Sequence, residues 1–309
     1  MGSPIHFGER VSLTRRALLA VLPAAALGCK SPAQDRTIAD PLAGLGHHPP
    51  PGKLRLGITP FSGERTKTAI DPLVRYLEKN LGLPVAPTIA EHYDDLAGLV
   101  RGGAIDLGIF SPGAYVRARG ELPAVPIATA TQAGSPTYLG YFVVRRDDGA
   151  QDLVRLRGKS IAWVERTSTS GYLYPRALLR SRKIDPDAFF SQTRMAGDHD
   201  KALDLLIAGA VDVATVSNNL LDRPRPRHAS HVPLLRVIAK TRRIPLDCLV
   251  VHQSVDRTFA ARLRGILFEL VRHPDVSEEL AADWGIHGFV PLTKDRYDEI
   301  ADVLRAEGS

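Results

Sequence analysis

The sequence predicts an α/β fold in two lobes, and three observations carry that expectation. From Lys53 onward, short apolar runs alternate with segments of helical spacing, the mark of a layered α/β architecture. The alternation runs once over residues 53–144, again over 145–247, and returns over 248–309, so the chain passes twice between two similar units. Lobe 1 is therefore read as residues 53–144 plus 248–309 and lobe 2 as 145–247, with a cleft between them of the kind small ligands favour. Finally, a strand–helix junction in the second unit holds three consecutive hydroxyl residues and a glycine, Ser168-Thr169-Ser170-Gly171, where a helix cap needs only one hydroxyl.

Thr14-Arg15-Arg16-Ala17-Leu18-Leu19 opens an apolar stretch that ends at Leu27. It is too short for an ordinary membrane span and lies behind positive charge, which predicts an export signal over residues 1–28. The Arg15-Arg16 pair resembles a twin-arginine signal. Ala26-Leu27-Gly28-Cys29 resembles a bacterial lipobox, with its leucine one place later than the usual pattern. A lone cysteine directly after the apolar core favours lipidation at Cys29 over a plain signal peptide cleaved nearby. Residues 29–52 lack apolar periodicity and end in His47-His48-Pro49-Pro50-Pro51-Gly52, which predicts a flexible tether. The two histidines read as a solvated pair, and no metal or cofactor is expected.

The first strand, 54–58, ends at Thr59-Pro60-Phe61-Ser62. Ile70, Leu73, Val74 and Leu77 give one apolar face to a helix over 66–81. A strand at 83–89, a helix at 94–101 and a strand at 104–110 follow, the last feeding Ser111-Pro112, where proline suits a helix start. Strands at 125–131 and 138–145 lead to the second unit. There the expected elements are a strand at 161–164, helices at 172–182 and 199–208, and strands at 211–216 and 232–239. A strand at 249–252, helices at 258–272 and 277–282, Gly288-Phe289-Val290-Pro291 and a helix at 294–306 close the chain.

With 44% hydrophobic and 24% charged residues, the composition is that of a soluble globular protein. Removing residues 1–28 takes away Glu9, Arg10, Arg15 and Arg16 and lowers the net charge from +6 to a mild +4. No Lys/Arg run or aromatic-basic patch points to nucleic acid. Chemistry concentrates at the hydroxyl turn. The first N–H groups of a helix have no intrahelical acceptors, and the helix dipole adds partial positive charge, so an anion fits there. Ser168, Thr169 and Ser170 add donors, and Gly171 lets the backbone approach closely. An enzyme using Ser168 or Ser170 with His199 is disfavoured, because no Gly-x-Ser-x-Gly elbow and no His-Glu-x-x-His spacing occurs. Trp163, Trp284 and Cys248 read as core residues.

Motifs spread along the chain add a resemblance. Leu56-Gly57-Ile58-Thr59-Pro60 precedes Pro72-Leu73-x-x-Tyr76-Leu77, and Asp106-Leu107-Gly108 carries an aromatic at Phe110. The turn continues as Ser168-Thr169-Ser170-Gly171-Tyr172-x-x-Pro175. Gly197-Asp198-His199-Asp200-x-Ala202-Leu203 runs into Val211-Asp212-Val213-Ala214, Ile244-Pro245-Leu246-Asp247 follows, and Gly288-Phe289-Val290 with Tyr297 lies near the end. In this order they resemble the phosphonate-binding family, the extracytoplasmic solute receptors of ABC importers for phosphorus oxyanions.

The resemblance implies a type II periplasmic-binding-protein fold whose lobes, joined by a two-segment hinge, close on the ligand. It implies that Ser168, Thr169 and Ser170 bind the oxyanion, that His199 faces the same oxygens, and that Asp247 accepts a hydrogen bond from a ligand hydroxyl. Phe110 stands where the family often has a ligand-contacting tyrosine, so one donor would be missing. Asn219 stands where an acidic residue can meet a ligand's amino group, and Phe61 would form a wall. Both departures favour phosphate, phosphite or a short alkyl phosphonate over an aminoalkyl phosphonate. The implied partner is a membrane ABC permease or, with an identical site, a membrane histidine kinase. Contact with the membrane would come only through the lipid on Cys29 of an exported, monomeric protein.

Overall fold

The computed structural model describes residues 40–61, 65–223, 226–293 and 295–307; the export signal and Cys29 lie outside them. Thirteen strands are described. They are β1 (Leu54–Ile58), β2 (Val85–Ile89), β3 (Leu107–Phe110), β4 (Ala124–Thr131), β5 (Thr137–Tyr138), β6 (Gly140–Arg145), β7 (Ser160–Trp163), β8 (Gln192–Met195), β9 (Val213–Ser217), β10 (Leu235–Lys240), β11 (Ile244–Pro245), β12 (Cys248–His252) and β13 (Gly288–Val290). They form a six-stranded sheet in the order β13-β4-β12-β3-β1-β2, a five-stranded sheet β10-β6-β9-β7-β8 and the ribbon β11-β5.

One side of each sheet is parallel: β1 pairs with β2 and β3, and β7 with β8 and β9. Strands covered on both faces need apolar residues throughout, and β3, β9 and β12 are buried at every position. Helices supply the cover. Ile70, Leu73 and Leu77 of the helix Thr66–Leu81 are fully buried, and Gly82, left-handed at φ +73°, ends that helix. Among the described residues no helix is long and apolar enough to cross a membrane.

The chain crosses between the sheets through β5 and β11, which pair antiparallel with Tyr138 opposite Ile244. The expected strand at 138–145 is thus two strands. β6 belongs to the second sheet, where it pairs with β9 and β10, so the boundary expected after residue 144 falls before Gly140 instead. Gly140 marks the break: a Cβ there would lie 2.5 Å from the Ser170 carbonyl oxygen. Behind the ribbon, the helix Asp295–Ala306 braces the crossing, with the Tyr297 hydroxyl donating to the Leu246 carbonyl at 2.6 Å. Just past this helix, Glu307 pairs with Arg176 at 2.6 Å and Arg180 at 2.7 Å.

The tether expected over residues 29–52 is fastened to lobe 1 in its described part. Leu42 and Leu45 are buried in the hydrophobic core, Asp40 pairs with Arg257, and the Arg257 amide donates to the Gly46 carbonyl at 3.0 Å. Two leucines three residues apart suffice to dock a short turn, and they were too few to register as a periodic pattern.

Candidate functional site

The carboxyl ends of the parallel strands meet at the cleft, which is where open α/β sheets place their ligands. β1 delivers Thr59, Pro60 and Phe61, the loop after β2 delivers Tyr93, and β3 delivers Ser111. Across the cleft, β7 leads to Ser168 and Thr169, β9 leads to Ser217 and Asn219, and the helix His199–Ile207 begins with His199. Tyr138, Leu246 and Asp247 come from the crossing segments, and Trp284 and Ile286 complete the wall. These residues line a cavity of about 60 Å³. One water needs at least roughly 10–15 Å³ of such space, so the cavity has room for a small ligand.

The hydroxyl turn is closed by its own hydrogen bonds. Residues Thr169–Leu173 form a π-type turn running into the helix Tyr174–Ser181, a winding frequent at functional sites. The Gly171 amide donates to Ser168 Oγ at 3.2 Å, and Thr215 Oγ1 donates to the Gly171 carbonyl at 2.7 Å. Gly171 has no room for a side chain, since a Cβ would sit 2.3 Å from Val164 Cγ2. Thr169 Oγ1 accepts the Gly113 amide of lobe 1 at 2.7 Å, a hydrogen bond that crosses the cleft. The Tyr93 phenol lies beside Ser168, and the Tyr138 phenol beside Ser170 and Thr169. Burial pushes both phenols well above their ordinary value, which keeps them protonated donors.

His199 is buried, and its Nδ1 accepts the Ser217 amide at 3.2 Å. That contact places the proton of the neutral ring on Nε2, which faces Ser170 Oγ at 3.5 Å. Asp247 lines the cavity half-buried, and burial raises its carboxyl to about 7; the Trp284 indole N–H beside it pulls the other way. The acid therefore stands near the midpoint between acceptor and donor at neutral pH. No lysine or arginine lines the cavity among the described residues. No group of three or more His, Cys, Asp or Glu residues able to hold a metal occurs among them either.

Of the residues singled out by sequence, Ser168, Thr169, His199, Asp247, Phe61 and Asn219 line the cavity together. Ser170 stands behind them, against His199. Phe110 does not reach the cavity. It is fully buried, and a Cβ on Gly108 would lie 2.7 Å from its ring, so it packs along its own strand. Strand alternation sends Phe110 to the core and turns Ser111 toward the ligand space. Trp284, expected in the core, is buried there and also lines the cavity, stacking on Phe61 with centroids 5.3 Å apart. The side-chain amide of Asn219 is engaged by lobe 1: Gln132 donates to its oxygen, and its nitrogen donates to the Trp284 carbonyl at 3.4 Å. Tyr93, Tyr138, Ser111, Thr59 and Ser217 were not foreseen. Only the period-two alternation of β3 could have flagged one of them, Ser111.

The profile of the family described as "ABC transporter, phosphonate, periplasmic substrate-binding protein" matches residues 56–297. The chain is 27% identical over 266 residues to the phosphate-import protein PhnD of Mycolicibacterium smegmatis, covering 79% of this chain and 82% of that one. It is 25% identical over 226 residues to the phosphonates-binding periplasmic protein of Escherichia coli, covering 71% and 66%. Its fold superposes with a TM-score of 0.74 on PhnD1 of Prochlorococcus marinus in complex with methylphosphonate, at 18% identity over 83% of this chain and 98% of that one. The two-lobed fold is that of the type II periplasmic binding proteins, and the chain belongs to the family of periplasmic substrate-binding proteins of phosphonate ABC transporters.

Proposed function

We propose that this protein is the extracytoplasmic receptor of an ABC importer and captures a small phosphorus oxyanion, phosphate, phosphite or a short alkyl phosphonate, by closing its lobes. The observation that carries the reading is the cavity itself: about 60 Å³, walled on one side by Ser168, Thr169 and His199, with Asp247 among its lining residues and no cationic side chain among the described ones. Hydroxyls, an imidazole N–H and phenols are neutral donors suited to a buried oxyanion. An ionised Asp247 rewards a ligand that keeps a P–OH and repels one without a proton, such as sulfate. The engaged amide of Asn219 offers no charge to an aminoalkyl group. The relatives agree in chemistry: one is named for phosphate import, and another carries methylphosphonate.

In this reading the protein is a monomer without catalytic activity, held to the membrane by a lipid on Cys29. Titration calorimetry of residues 30–309 against phosphate, phosphite, methylphosphonate, 2-aminoethylphosphonate and sulfate tests the ligand class. Binding of one of the first three, with sulfate silent, is expected; tight sulfate binding or silence throughout overturns it. Mass spectrometry of the protein from membranes tests the lipid.

A further inference from the structure

We infer that Ser111 is a ligand contact contributed by lobe 1. The inference rests on the receptor reading above. Ser111 is 8% exposed and lines the cavity, and its Oγ has no hydrogen-bond partner among the described residues. Its neighbours on the chain are fixed. The Ser111 amide donates to Thr59 Oγ1 at 3.0 Å, and the Gly113 amide is held across the cleft by Thr169 Oγ1 at 2.7 Å. Its backbone has the extended geometry of a helix cap, φ −58° and ψ 150°, yet the hydroxyl makes no cap bond to the helix that follows. A serine in that position ordinarily spends its oxygen on the backbone. Here the oxygen is left for something else, and a buried hydroxyl without a partner is costly.

An oxyanion in the cavity supplies the missing acceptor. The hydroxyl turn lies on lobe 2 and Ser111 on lobe 1, so the Ser111 contact forms only when the lobes close. It therefore acts on dissociation: the ligand docks on lobe 2, and Ser111 closes over it. Phe110 and Ser111 are consecutive, and strand alternation allows only one of them to face the cavity. Ser111 is the one that does.

The test is Ser111→Ala, measured beside Thr169→Ala by calorimetry and stopped-flow with phosphate, phosphite and methylphosphonate. For the ligand that binds the parent protein, Ser111→Ala is expected to weaken binding about tenfold or more, the usual cost of a hydrogen bond to a charged group. The loss should fall on the dissociation rate, with the association rate unchanged. The ligand-free melting temperature should stay level or rise, since the variant removes an unpartnered buried group, and Ser111→Thr should restore part of the affinity. Parent-like binding by Ser111→Ala, with Thr169→Ala impaired, overturns the inference and leaves the receptor reading standing. A lower ligand-free melting temperature in Ser111→Ala, or no rescue by threonine, assigns Ser111 a structural role and also overturns it. A parent protein that binds none of the three ligands overturns the receptor reading and this inference with it.

Discussion

The lobe 2 turn and the lobe 1 rim both offer hydroxyls to the cavity, but they hold them differently. On lobe 2, Ser168 Oγ accepts from Gly171, Thr169 Oγ1 accepts from Gly113, and Ser170 Oγ meets His199. Ser168 and Ser170 are held from within lobe 2, and Thr169 is held from lobe 1 across the cleft. On lobe 1, Thr59 is fixed by the Ser111 amide, whereas Ser111 Oγ has no partner among the described residues. The difference separates two tasks. A preorganised wall lowers the cost of ordering on binding, and a wall completed only by the ligand makes closure depend on it.

The largest change should come from breaking the preorganised side. Gly171→Ala drives a Cβ to within 2.3 Å of Val164 Cγ2, and the turn cannot yield without losing its hydroxyl array. Overpacking of this kind costs about 1–3 kcal/mol of stability, to be read as a lower urea midpoint, and binding should be abolished. Thr169→Ala keeps the turn but removes one donor and the cross-cleft acceptor for Gly113. A binding loss of roughly 1–3 kcal/mol is expected by calorimetry, and an unchanged dissociation constant would take Thr169 out of the site.

Asp247 sharpens the comparison through pH. Burial raises its folded-state value to about 7, above the ordinary unfolded value. Between roughly pH 4 and pH 7 the folded protein therefore holds a proton that the unfolded chain has lost, and stability should fall as pH rises across that window, by up to about 1.4 kcal/mol per pH unit. Denaturant melts across this range should slope downward for the parent protein and less steeply for Asp247→Asn. Sulfate rejection should strengthen above pH 7 in the parent and lose that dependence in the variant.

The smallest effect belongs to the rim. Glu165 of lobe 2 accepts the Tyr93 amide at 3.3 Å and faces His92 Nδ1 at 3.2 Å. Glu165, with weaker help from Asp95 and Glu91, raises the His92 ring above its usual value. The charged pair is therefore present at low pH and is lost as pH rises through the raised value. Glu165→Gln should speed ligand release slightly at pH 6 and hardly at all at pH 8, a contrast that stopped-flow can resolve.

The sequence showed some of this site and concealed the rest for physical reasons. The turn was legible because its oxygens and its glycine are consecutive, and His199 and Asp247 because motifs frame them. Tyr93, Tyr138 and Ser111 are single residues on three separate segments, and only the fold brings them together. Phe110 was misplaced because a motif names a position, whereas the pleat of β3 decides which way that position points. β8 escaped the strand pattern because Gln192–Met195 is an edge strand exposed along its whole length, with no apolar alternation to reveal it. The crossing of the chain falls one strand earlier than expected because Tyr138 to Arg145 reads as a single apolar run, whereas Tyr138 pairs with Ile244 and Gly140 pairs with Ser217 in another sheet.

Among the described residues the cavity lining has no cationic side chain, and in the proposed receptor this bears on how the ligand is released. Hydrogen bonds from neutral donors are strong where water is excluded and weak where it is not. A grip built this way has little long-range attraction to overcome once the lobes part, because each incoming water can replace a donor at almost equal strength. Under the proposed function, handover then requires only that the lobes part. Retention is a property of the shut state, and solvent entry performs the release.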